Sequence, residues 1–299
     1  MTAALPTTIP GYLEQLRRSL AGADPALIQD ALYDAEEYLR SELAAQPQRT
    51  EAEVIAVVAS SYGAPDEVAD VYRDTETTVQ TALRLPPPQQ PRSLPGRLFG
   101  VFVDPHAYGA LFYMLLSLLT GTFYFTWVVT GFSLSLGLAI TLIGIPLFVL
   151  FIASVRVLAL LEGRIVETML GERMPRRPQY AMRGQPLLQR IMDSLADPRT
   201  WSTLVYFILM LPLGVLYGSM AASCAVLSFA FLVSPVLVAF GQGGVIHFGF
   251  ADFIYNEQGW VLAPVMFVAG GVLLMLTLHG ARFIGQLHAQ LAKSLLVPA

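Results

Sequence analysis

The chain has 299 residues, 55% of them hydrophobic and 13% charged, with 20 Pro, 24 Gly, one Cys and a net charge of −4. A soluble domain carries about 25% charged residues, so half that share excludes an ordinary soluble enzyme, and the apolar content excludes a disordered chain. The lone Cys224 excludes a disulfide framework or a multi-cysteine metal centre, and the charge balance gives no basis for direct nucleic-acid binding.

Charge divides the chain. Residues 1–85 hold 14 of the 22 acidic and 6 of the 18 basic residues, a net −8, and the remainder is net +4. Residues 1–20 lack a basic-then-apolar pattern, so no cleavable signal peptide is expected. Four short helices are expected in this acidic part. Tyr12, Leu13, Leu16 and Leu20 recur at helical spacing. Asp24-Pro25 is an N-cap followed by proline at the first helical position, opening a stripe of Leu27, Ile28, Ala31, Ala35 and Leu39. Thr50 and Glu53 form a capping box ahead of Val54, Ile55 and Val58, with a stop at Gly63. Pro65-Asp66-Glu67 opens the fourth helix. The acidic residues fit either a partner-binding face or the solvated side of amphipathic helices. A Pro/Gln-rich linker follows at 86–96.

Beyond the linker, no Asp, Glu, Lys or Arg occurs between Asp104 and Arg156 or between Arg199 and Asp252, and a third apolar run ends at Arg282. One bilayer crossing needs about 20 apolar residues, which predicts spans over 108–131, 136–161, 201–224 and 259–281. Sliding the chain by 93 residues superposes Arg97, Asp104, Pro105, Leu111, Tyr113, Leu116, Leu118, Gly121 and Tyr124 on identical residues, from Arg190 to Tyr217. A shift of 126 residues aligns the stretch beginning at Arg156 with the one beginning at Arg282. The expected organisation is therefore repeat A at 97–171, an Arg-rich loop at 172–189, and repeat B at 190–299 with an insert at about 233–258. Both repeats run in the same direction, which implies an axis along the membrane normal. The fold class is all-α: a cytoplasmic four-helix domain plus a polytopic bundle of four spans in two parallel repeats. The apolar segment 225–240 is expected to extend the third span, re-enter, or lie in the outer interface.

Arginines set the orientation. The stretch from Arg156 to Arg199 contains eight of them and the insert contains no Lys or Arg, so the loop and both termini are expected in the cytoplasm of an inner-membrane protein. Asp104-Pro105 and Asp197-Pro198 read as helix caps. Gly214, Gly218 and Ala222 form a small-residue stripe for helix packing, and Pro146, Pro212 and Pro235 predict kinks. His106, His247, His279 and His288 are scattered, and no metal site, cofactor or enzymatic motif is expected. The four spans contain no ionisable residue except terminal His279, which argues against a coupled transporter. The insert, with His247, Asp252, Tyr255, Glu257 and Trp260, is the candidate sensing region; its alternative reading is an ordered cap with an aromatic belt.

Two resemblances cover nearly the whole chain. The segments 12–20 (YLEQLRRSL), 24–43 and 62–73 (YGAPDEVADVYR) resemble the HAAS-type helical signalling domain found beside PadR-type regulators, with Tyr62-Gly63-Ala64-Pro65 where relatives often have Leu-Gly-Asp-Pro. Ile143-Gly-Ile-Pro-Leu147, the helix at 156–171, Asp197-Pro-Arg-Thr-Trp201, Leu211-Pro-Leu-Gly214 and the segment 291–296 resemble the bacterial "putative sensor" domain, known as the input module of some histidine kinases. The resemblances imply a non-enzymatic membrane sensor acting through a cytoplasmic protein partner, such as a PadR-type regulator, in the lipid bilayer; a homo-oligomer is compatible with them. A scaffold in a membrane complex is the alternative, and a transporter the third.

Overall fold

The computed structural model describes residues 6–83, 94–141, 143–177, 196–239, 245–248, 251–254 and 259–297. Its N-terminal part is four helices: α1 (Ile9–Ser19), α2 (Pro25–Ala45), α3 (Glu51–Ser61) and α4 (Pro65–Leu83). The expected caps are in place. Asp24 accepts the Ala26 N–H at 2.9 Å. Thr50 and Glu53 close their reciprocal box, with Glu53 accepting the Thr50 N–H at 2.9 Å. Helix α1 starts earlier than its apolar stripe implied, because Thr8 caps it and accepts the Gly11 N–H. Tyr12, Leu16, Leu20, Leu39, Ile55 and Val58 fill the small core. The Tyr12 hydroxyl donates to the carbonyl of Gly63 at 2.7 Å. Gly63 itself has φ +116, a conformation that a side chain would strain.

The larger part begins with α5 (Leu94–Phe99) and a 3-10 turn (Gly100–Val103), then α6 (Pro105–Gly137), α7 (Gly144–Leu170), α8 (Pro198–Ala239) and α9 (Gly259–Leu296). The last four are long and apolar enough to cross a membrane. Asp104 accepts the His106 N–H at 3.0 Å and Asp197 the Arg199 N–H at 3.1 Å, so each Asp-Pro pair opens a span. Segment 225–239 continues α8 without a break, which selects the first of its three expected placements. Pro212 and Pro235 lie inside that helix, whereas Pro146 falls in the first turn of α7, where its missing N–H is harmless. The insert contains an element that periodicity did not indicate, a hairpin of β1 (Val245–Phe248) and β2 (Ala251–Ile254), in which His247 is opposite Asp252.

Helices α6 and α8 cross at glycines with almost no separation. A Cβ on Gly121 would lie 2.2 Å from the carbonyl oxygen of Met210, and one on Gly214 would lie 2.1 Å from that of Ser117. These two contacts are reciprocal: Gly121 and Gly214 are 93 residues apart, and so are Ser117 and Met210. The ion pairs at the span ends cross over in the same way, with Arg282 2.9 Å from Asp104 and Arg156 4.0 Å from Asp197. Of the expected small-residue stripe, Gly214 and Gly218 face α6, but the next member is buried Ala221; Ala222 is exposed. Positions 214, 218 and 221 follow the helical turn more closely than a strict step of four.

Gly121→Ala and Gly214→Ala should each force the two backbones apart, at a cost of about 1–3 kcal/mol. Gly271→Ala, with nothing within 4 Å of the new methyl group, should be neutral or slightly stabilising. Thermal unfolding in detergent checks the contrast, and equal melting temperatures for all three would refute the close crossing.

Candidate functional site

Where the four long helices meet, their side chains form a closed polar cluster. Glu162 on α7 is 0% exposed and His288 on α9 is 1% exposed. Glu162 Oε1 accepts the hydroxyls of Tyr113 at 2.7 Å and Tyr206 at 3.0 Å, and Oε2 accepts that of Tyr124 at 3.0 Å. Tyr113 and Tyr124 come from α6 and Tyr206 from α8, so one carboxylate joins three helices directly. His288 Nε2 lies 2.6 Å from the Tyr113 oxygen and 3.0 Å from the Tyr206 oxygen, bringing in the fourth.

Proton counting fixes the histidine. Each tyrosine hydroxyl has one hydrogen; with Glu162 ionised, both are donated to its carboxylate and the phenol oxygens can only accept from His288. Nε2 therefore carries the proton and donates to both oxygens, while Nδ1 is enclosed without a partner among the described residues. Ring packing holds the imidazole: its centroid is 5.0 Å from that of Tyr113, 5.9 Å from Tyr206 and 5.6 Å from Tyr217, the last edge-on at 88°. Tyr124 stacks on Phe207 at 4.5 Å.

The sequence pattern assigns no role to Glu162 or His288. Both lie just past the expected spans 136–161 and 259–281, on the stretches that follow Arg156 and Arg282, and α7 runs on through Glu162 to Leu170. Arg156 is itself paired with Asp197. The signal was available. The 126-residue shift that aligns Arg156 with Arg282 also aligns Glu162 with His288, and the 93-residue shift aligns Tyr113 with Tyr206 and Tyr124 with Tyr217.

A second polar region joins the N-terminal helices to the bundle. Asp30 on α2, 6% exposed, accepts the backbone N–H groups of Arg176 at 2.7 Å and Arg177 at 2.8 Å, and lies 3.1 Å from the Arg173 guanidinium. Burial pushes the Asp30 carboxyl up, while those two N–H bonds and Arg173 pull it down. Arg173 also lies 3.3 Å from Glu76 and 3.4 Å from Glu167, and Arg177 pairs with Asp34 at 3.0 Å. On α9, Lys293 pairs with Asp24 at 2.8 Å and with Glu172 at 2.6 Å. Ala26 of α2 and Met174 of the loop are buried in the bundle's own apolar cluster, so the junction is packed as well as charged.

Of the candidates in the insert, His247, Asp252 and Trp260 fall on described elements. His247 and Asp252 face each other in the hairpin register. Tyr255 and Glu257 lie outside the described residues, and Trp260 is in the first turn of α9. His106 lies 3.2 Å from Asp104, and His279 Nε2 lies 3.2 Å from the carbonyl of Leu98. Among the described residues no group of three or more His, Cys, Asp or Glu could hold a metal ion. The amphipathic piece expected at 191–195 lies outside the described residues.

The model of the family described as "Putative sensor" matches residues 113–296. The chain belongs to that family. No curated protein and no solved structure matches the chain. The sensor-family match includes all five residues of the buried cluster, from Tyr113 to His288, and leaves the four-helix N-terminal part outside.

Removing the carboxylate with Glu162→Ala would leave three buried hydroxyls without their common acceptor, at an expected cost of about 3–5 kcal/mol. Glu162→Gln retains one acceptor oxygen and should cost less, and Tyr124→Phe, losing one bond to the carboxylate, about 1.5–3 kcal/mol. Melting of the purified protein ranks them; a Glu162→Ala protein as stable as wild type would show that the cluster does not hold the helices together.

Proposed function

We propose that this chain is an inner-membrane sensor, non-enzymatic, that passes a membrane or extracytoplasmic stimulus to a cytoplasmic protein partner through its N-terminal helices. One observation carries this reading. Glu167 lies five residues beyond Glu162 on α7, Lys293 lies five residues beyond His288 on α9, and the same 126-residue shift relates the two. Each is a clamp on the N-terminal part, Glu167 through Arg173 and Arg176, and Lys293 through Asp24. Five residues of helix are about 7.5 Å. A shift of α7 or α9 at the buried cluster therefore moves a clamp directly.

Signalling by such a device needs two bundle arrangements with different affinities for stimulus or partner. The clamped helices present Asp24, Asp30 and Asp34 to the bundle, so part of the acidic surface of residues 1–85 is already occupied by this junction. Release would expose it to a basic partner, and the HAAS-like pattern points to a PadR-type regulator or a similar signalling protein. By the positive-inside rule the clamp, both termini and the partner are cytoplasmic, and the hairpin is outside.

Arg173→Ala with Lys293→Ala in the full-length protein should raise amide hydrogen exchange in α2 severalfold and shift the output towards one state. Unchanged exchange together with unchanged output would reject the clamp as the transmitting element. Reporter fusions after Ala299 should read cytoplasm and fusions near Gln258 outside; the reverse at Ala299 would invert the orientation.

A further inference from the structure

The two Asp-Pro corners share one frame but differ in what fills them. At the first corner, Ala107 packs with Leu278 and Val101, and Ala110 with Ala281 and Met114, all of them buried apolar residues. Arg282 closes on Asp104 at 2.9 Å. At the second corner, the positions 93 residues later are Thr200 and Thr203. The matching ion pair, Arg156 to Asp197, is drawn out to 4.0 Å. A cavity of about 90 Å³ lies here, lined by Arg156, Asp197, Arg199, Thr200 and Thr203, with Ile152 and Val155 of α7 among its apolar walls.

Polar groups around this cavity lack partners. Thr200 is 6% exposed, yet its hydroxyl has no hydrogen bond. Thr203, 8% exposed, makes none among the described residues either. Helical threonines usually bond back to the carbonyl of the preceding turn, as Thr122, Thr168 and Thr277 do here at 2.7–2.8 Å. A buried hydroxyl left without a partner is costly, so the enclosed Thr200 Oγ1 calls for an acceptor inside the cavity, and the Thr203 hydroxyl one turn on can donate to the same acceptor. The Arg199 guanidinium makes no ion pair or hydrogen bond among the described residues, though Asp197 and, more weakly, Arg17 of α1 stand within electrostatic range of it. Asp197 is already used as the helix cap and as the counter-ion of Arg156.

We propose that this cavity binds a phosphate-bearing anion, with the Arg156 and Arg199 guanidiniums and the Thr200 and Thr203 hydroxyls as donors. Planar guanidinium forks match phosphate oxygens, and hydroxyls complete the donor set without adding charge. The site lies at the N-terminal end of α8, between apolar walls and Gln29 of α2; a phospholipid headgroup and free phosphate offer it the same chemistry. This binding goes beyond the signalling reading and stands without it, because it is measured directly.

The test uses the full-length protein in a non-ionic detergent, titrated with dihexanoyl phosphatidic acid, dihexanoyl phosphatidylcholine and inorganic phosphate, and followed by calorimetry. The expected result is saturable binding of phosphatidic acid, weakened about tenfold or more by Arg199→Gln and by Thr200→Ala/Thr203→Ala. The latter pair places at the second corner the residue type that already packs at the first, so folding should be retained. His106→Gln, at the position matching Arg199, should leave binding unchanged. Inorganic phosphate binding as tightly as phosphatidic acid assigns the site to free phosphate, and phosphate at least tenfold weaker assigns it to the headgroup. Absence of saturable binding, binding insensitive to both second-corner variants, or equal binding of phosphatidylcholine would overturn the proposal.

Discussion

A carboxylate removed from water is tolerated only where its oxygens are occupied by good donors, and Glu162 satisfies that condition by drawing a tyrosine from each of three directions. The constraint reaches well beyond the five side chains. Tyr113 and Tyr124 are eleven residues apart on one helix, and both must reach the same carboxylate, which fixes where α7 passes α6. Tyr206 imposes the same requirement on α8, and His288 ties α9 in through the Tyr113 and Tyr206 oxygens. The glycine crossing then allows α6 and α8 to approach as closely as these short hydrogen bonds demand. Apolar packing alone would tolerate sliding of helices in a medium as apolar as their side chains; a shared acceptor does not.

The polar centre and the clamp are consecutive features of the same two helices. Glu162 and Glu167 on α7, and His288 and Lys293 on α9, place a buried group and a docking group about one and a half turns apart. The N-terminal helices are thus attached to the segments that the buried cluster positions, with Ala26 and Met174 excluding water around the charges. Asp30 illustrates how such a junction stays specific: two adjacent backbone N–H groups and one guanidinium converge on a single carboxylate. That arrangement accepts one placement of the loop.

Much of this architecture was legible in the sequence because it is written in local or compositional terms. Caps at Asp24, Thr50, Asp104 and Asp197 depend on residues within three positions of each other. Span number follows from the distribution of charge. The 93-residue and 126-residue shifts are visible without any structure, but that Gly121 meets Met210 and Gly214 meets Ser117 is not. The polar cluster was not read, because its members are far apart in the chain and each has an ordinary explanation alone. A tyrosine near a span end suggests the interface, a glutamate after an arginine suggests a loop, and a histidine near the C-terminus suggests nothing. Ala222 failed for a smaller reason, since three and four residues alternate along a helix face and the step of four was carried one position too far.

The sequence by itself determined four helices long and apolar enough to cross a membrane beside an acidic helical part, because periodicity, capping and charge act over a few residues at a time. Only the tertiary structure decided that Glu162 and His288 are interior rather than terminal, that Arg173 and Lys293 hold the acidic domain, and that the Thr200 corner is open where the Ala107 corner is closed. Those are questions of which distant groups satisfy one another's charges and hydrogen bonds, and the answer depends on how the helices cross, which no local pattern records.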